Sequence, residues 1–198
     1  MYVQSPKWTF IFIGICVIFY LFQQLTNLWI YLAFFPAFAL QYPWMFLTSI
    51  FLHATFSHLF FNMLALFFFG IYLERTIGRR AFVIMFFLSG IVGNGGYMIT
   101  ASNPLTPSVG ASGAIYGIIG TLATIVPFTI VFFGFVPLPM IVAAVLWALV
   151  DLVGLFGPSG IAHGAHLAGL FVGVAFGIYL RLRTGKMSEI ESRFLGLR

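Results

Sequence analysis

Charge is what this sequence has least of. Only 7% of its 198 residues are charged, with four acids against nine Lys and Arg. A water-soluble domain carries about a quarter, so water does not solvate most of this chain's surface. The single Cys16 excludes an internal disulfide and leaves the redox compartment unreadable. A basic face of the kind that binds nucleic acid is missing as well. The nine cations fall in three places only: Lys7, the run 75–80, and the stretch from Arg181 onward. There is no repeat of 20–50 residues and no low-complexity segment. What is present is apolar: 62% hydrophobic residues, 26 Phe, and a mean hydropathy of +1.09.

A helix crossing a bilayer needs about 20 mostly apolar residues. Six windows meet this: 8–24, 57–73, 81–100, 109–126, 134–155 and 161–183. Between them lie turn residues: Ile77-Gly78, Ser102-Asn103-Pro104 with Pro107, Pro127, and Gly157-Pro158-Ser159-Gly160. The stretch 25–56 has no charged residue, but Pro36 and Pro43 interrupt it. If it does not span, all basic residues fall on one side, which the positive-inside rule makes cytoplasmic. The expectation is an all-α polytopic membrane protein, a single domain over 1–198 with six transmembrane helices and both termini cytoplasmic. Residues 25–56 form a membrane-associated outer loop after helix 1, held through Trp29, Tyr31, Tyr42 and Trp44. Residues 184–198 form a short cytoplasmic tail. Lys7 precedes an apolar run without a small-residue cleavage site, so helix 1 is read as retained.

Alternating these helices brings polar residues to one depth near the outer surface. His58 and Asn62 lie near the outer end of helix 2, Ser112 at the start of helix 4, and His166 near the start of helix 6. Polar groups in a bilayer are costly unless partnered or wet, so convergence on one level points to a shared cavity. Small residues recur along helix 4 (Gly110, Gly113, Gly117, Gly120) and helix 6 (Ala165, Gly169, Gly173, Gly177). Such stripes let two helices approach closely, as a Ser112–His166 hydrogen bond requires. Tyr116, one turn from Ser112, can wall the histidine.

A serine becomes a nucleophile when a base takes its proton, and His166 is the candidate base. No carboxylate is directed at His166 by the sequence. Asp151, near the outer end of helix 5, carries no signal beyond a buried or cavity-lining role, so a dyad is expected rather than a triad. Candidate donors to an oxyanion are the Ser112 N–H, the Asn62 amide and His58, the last two at i, i+4 on one helix face. His53, His58, His163 and His166 all fall on the outer side, but zinc peptidases use HExxH. His163 and His166 are three apart with no adjacent acid, so no metal is expected.

These residues resemble a known family. Gly110-Ala111-Ser112-Gly113 is similar to the GxSG nucleophile motif of rhomboid intramembrane proteases, and 164–169 (GAHLAG) is similar to their catalytic-histidine helix. His58 with Asn62 resembles their HxxxN, and Glu74 with Gly78 their ExxxG. The resemblance runs from about residue 44 to 177. It implies a six-helix rhomboid-like bundle with Ser112 and His166 as catalytic pair and Asn62 and His58 at the oxyanion. In that bundle Tyr116 packs on the histidine, and Gly113, Gly117, Gly169 and Gly173 pack the helices. The implied function is an intramembrane serine endopeptidase, without metal or cofactor, that cuts transmembrane proteins from a cavity open to the outer side. The loop 156–162 and helix 5 match the family's cap and lateral gate in position. Two residues depart from the pattern: Met45 follows Trp44 where many members have arginine, and His163 stands where several have asparagine. The compact, Phe-rich chain points to a minimal prokaryotic form in the plasma membrane. Two rival readings are a silent rhomboid-like protein that binds transmembrane clients, and a small channel or transporter. The channel or transporter is disfavoured by the lack of a mid-membrane ionisable residue and of an inverted repeat.

Overall fold

A computed structural model describes residues 5–157 and 159–184, and the architecture is mostly helical. Helix α1 (Lys7–Leu25) begins at Pro6, and its first amides are satisfied from elsewhere in the chain. The Glu74 carboxylate accepts from Trp8 N at 2.9 Å, and from Thr9 N and Thr9 Oγ1 at 2.8 Å. A buried carboxylate at a helix N-terminus satisfies orphan N–H groups and complements the helix dipole. The stretch after α1 forms only short pieces: α2 (Trp29–Leu32), α3 (Met45–Thr48) and a 3₁₀ turn at Ser49–Phe51.

This stretch is tied down by side chains. The Gln23 amide pairs with both backbone groups of His53, at 2.6 and 3.1 Å. Asn94 Nδ2 donates to Phe46 O and Ser49 Oγ, and Trp44 Nε1 donates to Tyr31 O. Phe34 and Ser108 exchange two backbone hydrogen bonds, which joins the stretch to the loop before α7. Among the described residues, no arginine takes part.

Next come α4 (Phe56–Ala65), a π turn at Leu66–Gly70 and α5 (Ile71–Ile77), continuous over 22 residues. They are followed by α6 (Arg79–Thr100), α7 (Ser112–Ile125), α8 (Met140–Gly154) and α9 (His163–Thr184). Helices therefore occur at all six expected places. Four segments are long and apolar enough to cross a membrane: Lys7–Leu25, Phe56–Ile77, Arg79–Thr100 and His163–Arg183. The apolar helices α7 and α8 are shorter, at 14 and 15 residues.

The expected helix over 134–155 starts too early. Residues 130–139 instead form a hairpin of β1 (Ile130–Phe133) and β2 (Val136–Pro139), with Phe133 opposite Val136 and Ile130 opposite Pro139. Pro137 and Pro139 lack the N–H a helix interior needs, and their rings clash with the preceding turn. Gly134 supplies the positive φ (+62°) that a two-residue hairpin loop requires. The helix begins directly after Pro139. Of the expected tail 184–198, only the Thr184 backbone falls among the described residues; the rest lies outside them.

Helix α7 is the centre of the bundle, with 11 of its 14 residues buried. It packs on α6 and α9 through backbone. A Cβ on Gly169 would overlap the Gly113 carbonyl, and one on Gly173 would overlap the Gly117 carbonyl. Thr121 Oγ1 adds a bond to Gly173 O at 3.1 Å. On the other helices, large apolar side chains such as Ile18, Phe61, Phe68, Val153 and Phe171 face outward.

Candidate active site

Ser112 is the first residue of α7, and the chain before it fixes its position. Gly110 N donates to Ser49 O at 2.9 Å. Gly110 takes φ +125°, and a Cβ there would stand 2.7 Å from His58 Cε1. Only glycine fits both the dihedral and the space. The His58 ring thus lies directly against the turn into α7. Its own helix is started by Thr55, whose Oγ1 accepts from His58 N at 3.1 Å.

His166 lies in the first turn of α9, with Nε2 2.9 Å from Ser112 Oγ. Tyr116 covers the imidazole, ring on ring, with centroids 4.3 Å apart and planes 10° apart. The short hydroxyl and the ring meet because the Gly113–Gly169 contact brings the helix backbones together.

One expectation is corrected. His166 does have a carboxylate partner: Asp151 Oδ1 lies 2.9 Å from His166 Nδ1. The same oxygen lies 2.6 Å from His163 Nδ1. Spacing alone could not show this, because rotation of α8 about its axis decides where Asp151 points. A signal existed all the same. Asp151 is the one acid within its apolar helix, and a buried carboxylate needs partners. Two histidines at i, i+3 offered them on one face of the next helix. An ionised carboxylate oxygen can only accept, so both Nδ1 atoms donate to it and the His166 Nε2 lone pair faces Ser112. Asp151, His163 and His166 also bring together three atoms of types that bind metals.

Asn62 is buried, and its Nδ2 makes no hydrogen bond among the described residues. It shares a cavity of about 650 Å³ with His58, Ser112, Tyr116, His163 and His166. The first amides of α7 have no intrahelical acceptor and lie at the same end. His53 is not part of the lining. It sits fully buried behind His58, with ring centroids 5.1 Å apart. Burial, then the neighbouring His58, push its imidazole down to about 3, with an opposing contribution from the Phe51 backbone.

The rhomboid domain profile matches residues 40–183. This chain belongs to the rhomboid family. It is an integral membrane protein of that family, and its described cavity lies within the matched region. The putative rhomboid protease YdcA of Bacillus subtilis is 39% identical over 128 residues, covering 64% of this chain and 62% of the relative. Rhomboid-like protease 3 of Toxoplasma gondii is 41% identical over 91 residues, covering 46% of this chain and 34% of the relative. The inactive RHOMBOID-like protein 8 of Arabidopsis thaliana is 38% identical over 79 residues, covering 40% and 22%. The chain thus spans less than two thirds of each of these relatives. Since both proteases and an inactive protein are among them, membership alone does not assign activity.

Proposed function

We propose that this rhomboid protein is an intramembrane serine endopeptidase that cleaves transmembrane segments of other proteins. The observation that carries the reading is the line of hydrogen bonds from Ser112 Oγ through His166 to Asp151, opening on a cavity. In this reading, His166 Nε2 takes the Ser112 proton as Oγ attacks the scissile carbonyl carbon. Asp151 holds the ring and stabilises the imidazolium. The developing oxyanion is met by the Ser112 N–H, by the free Asn62 amide, and by His58. His166 returns its proton to the leaving amine. Water then attacks the acyl-enzyme by the same route, which regenerates Ser112. No metal or cofactor enters this scheme.

The topology proposed with it has six spans, α7 and α8 being short ones inside the bundle, with residues 26–55 resting at the outer surface. Arg79, Arg80 and Arg183 line one pocket at the end away from Ser112, and Arg79 also binds Ser5 O there at 2.9 Å. This clustering supports a cytoplasmic assignment for that end and an outward-facing site. Gly157 and residues 159–162 border the cavity, and the exposed ones among them suit a cover that moves to admit substrate. As a helix hides its peptide carbonyls in hydrogen bonds, substrates are expected to carry helix-destabilising residues beside a small residue at the cut.

The test is fluorophosphonate labelling of purified protein in detergent. Wild type should label, and Ser112→Ala and His166→Ala should not, while both remain folded by thermal melt. A well-folded wild type that neither labels nor cleaves a model transmembrane substrate would instead favour a silent, client-binding protein.

A further inference from the structure

Asp151, His163 and His166 each offer one ligand atom, and the three atoms lie within 4.8 Å of one another. Two imidazoles and a carboxylate on helices are a donor set for a zinc-type ion that keeps one position for water. Three further observations suit that use. Asp151 Oδ2 is buried and no donor among the described residues reaches it within hydrogen-bond distance, with the Tyr116 hydroxyl near enough to act on the same carboxylate. His163 and His166 both line the cavity, which gives an ion an aqueous route. The His163 ring rests on Gly154, where a Cβ would overlap it, so the ring is held in place. The spacings of 2.6 and 2.9 Å are those of hydrogen bonds. Ligands at about 2.0–2.1 Å from a tetrahedral ion stand roughly 3.3 Å apart, so Asp151 Oδ1 must draw back slightly from both rings, and the two imidazoles, with centroids 6.3 Å apart, must close towards each other.

We infer that Asp151, His163 and His166 form a site for a divalent ion of the zinc type, which replaces their two hydrogen bonds and silences Ser112. The silencing rests on the protease reading above; the binding does not. The ion takes the lone pair of each Nδ1, so each neutral imidazole carries its proton on Nε2 instead. No proton is gained or lost in this exchange of tautomers. His166 Nε2–H then donates to Ser112 Oγ and has no lone pair with which to take the serine proton. One carboxylate against a double charge leaves a net positive centre, with water in the fourth position facing the cavity.

The experiment uses protein without a polyhistidine tag, stripped with EDTA, titrated with zinc in a calorimeter and labelled with the fluorophosphonate at each zinc concentration. Wild type should bind one zinc, and its labelling should fall in step with occupancy and return with EDTA. Ser112→Ala should bind as wild type does. His163→Gln should bind more weakly by at least the roughly 10–100-fold that loss of a supporting group costs a metal site. Gly154→Ala, which keeps all three ligands but displaces the His163 ring, should weaken it too and guards against misfolding of the first variant. Absence of zinc binding in wild type would overturn the inference, as would equal binding in His163→Gln and Gly154→Ala, or unchanged labelling at saturating zinc. A protein that binds zinc with these mutant effects yet never labels in EDTA would retain the site and remove the protease reading.

Discussion

A single oxygen, Asp151 Oδ1, accepts from two histidines, and only one of them touches Ser112. Asp151→Asn leaves the side chain's shape while removing the charge and putting an N–H where an acceptor stood. His166 would then favour the tautomer that carries its proton on Nε2. Fluorophosphonate labelling should slow by about 10²–10⁴-fold, the upper end being the cost of the equivalent change in a soluble triad protease. An unchanged rate would return the site to a dyad. That Ser112, His166, His58 and Asn62 line one cavity could be anticipated from their common depth, because each sits at a fixed offset within one helix. Asp151 could not, because its helix is set by packing.

His53 gives a second prediction at this scale. Its imidazole is held near 3 in the folded state, against an ordinary value of 6.5. Between those values the unfolded chain binds a proton that the folded protein refuses, so stability rises with pH there. Lowering the pH from 7 to 5 should therefore lower the wild-type melting temperature. His53→Gln should show a shallower slope, read by thermal melts across the same range. Parallel slopes would mean that His53 takes its proton without unfolding.

At the scale of elements, the pair α7 and α9 sets the Ser112–His166 distance through glycine backbone. Gly169→Val would force side-chain atoms into the Gly113 carbonyl. Overpacking of this kind costs about 1–3 kcal/mol, and here the helices would part beside both reacting groups. Labelling should fall much further than stability, measured on the same sample; loss of both in proportion would indicate general unfolding. The stripes were visible in the sequence as small residues every three or four positions. The β1–β2 hairpin was the miss: an apolar run was read as helix although Pro137 and Pro139 stand inside it. Hydropathy counts residues, whereas the backbone needs N–H groups, and here the second requirement wins.

For the whole molecule, the four helices long and apolar enough to cross a membrane were legible, since length and apolarity mark them directly. The fold of residues 26–55 was not, because its hydrogen bonds come from Gln23, Asn94 and Ser108, distant in sequence. Topology can be tested cleanly, as the native Cys16 is fully buried. Phe135, fully exposed at the hairpin tip, and the exposed Ser159 are suitable sites for single cysteines. In right-side-out vesicles an impermeant maleimide should label Ser159→Cys at once, and Phe135→Cys only after the membrane is opened. The reverse order, or labelling of both, would refute the proposed orientation.

The backbone seam between α7 and α9 has a consequence for heredity. A distance fixed by carbonyl oxygens resting on Cα atoms does not depend on which large side chains clothe the rest of the bundle. The outward Phe, Ile, Leu and Val residues can exchange among themselves with little effect on the reacting pair, whereas one added methyl at Gly169 is felt immediately. The information specifying this site is therefore concentrated in a few of the smallest letters of the sequence, and the greasy majority is written in a degenerate code. A library randomised among apolar residues on the outer faces should keep labelling in most clones, and one randomised at Gly113, Gly117, Gly169 and Gly173 should lose it in nearly all.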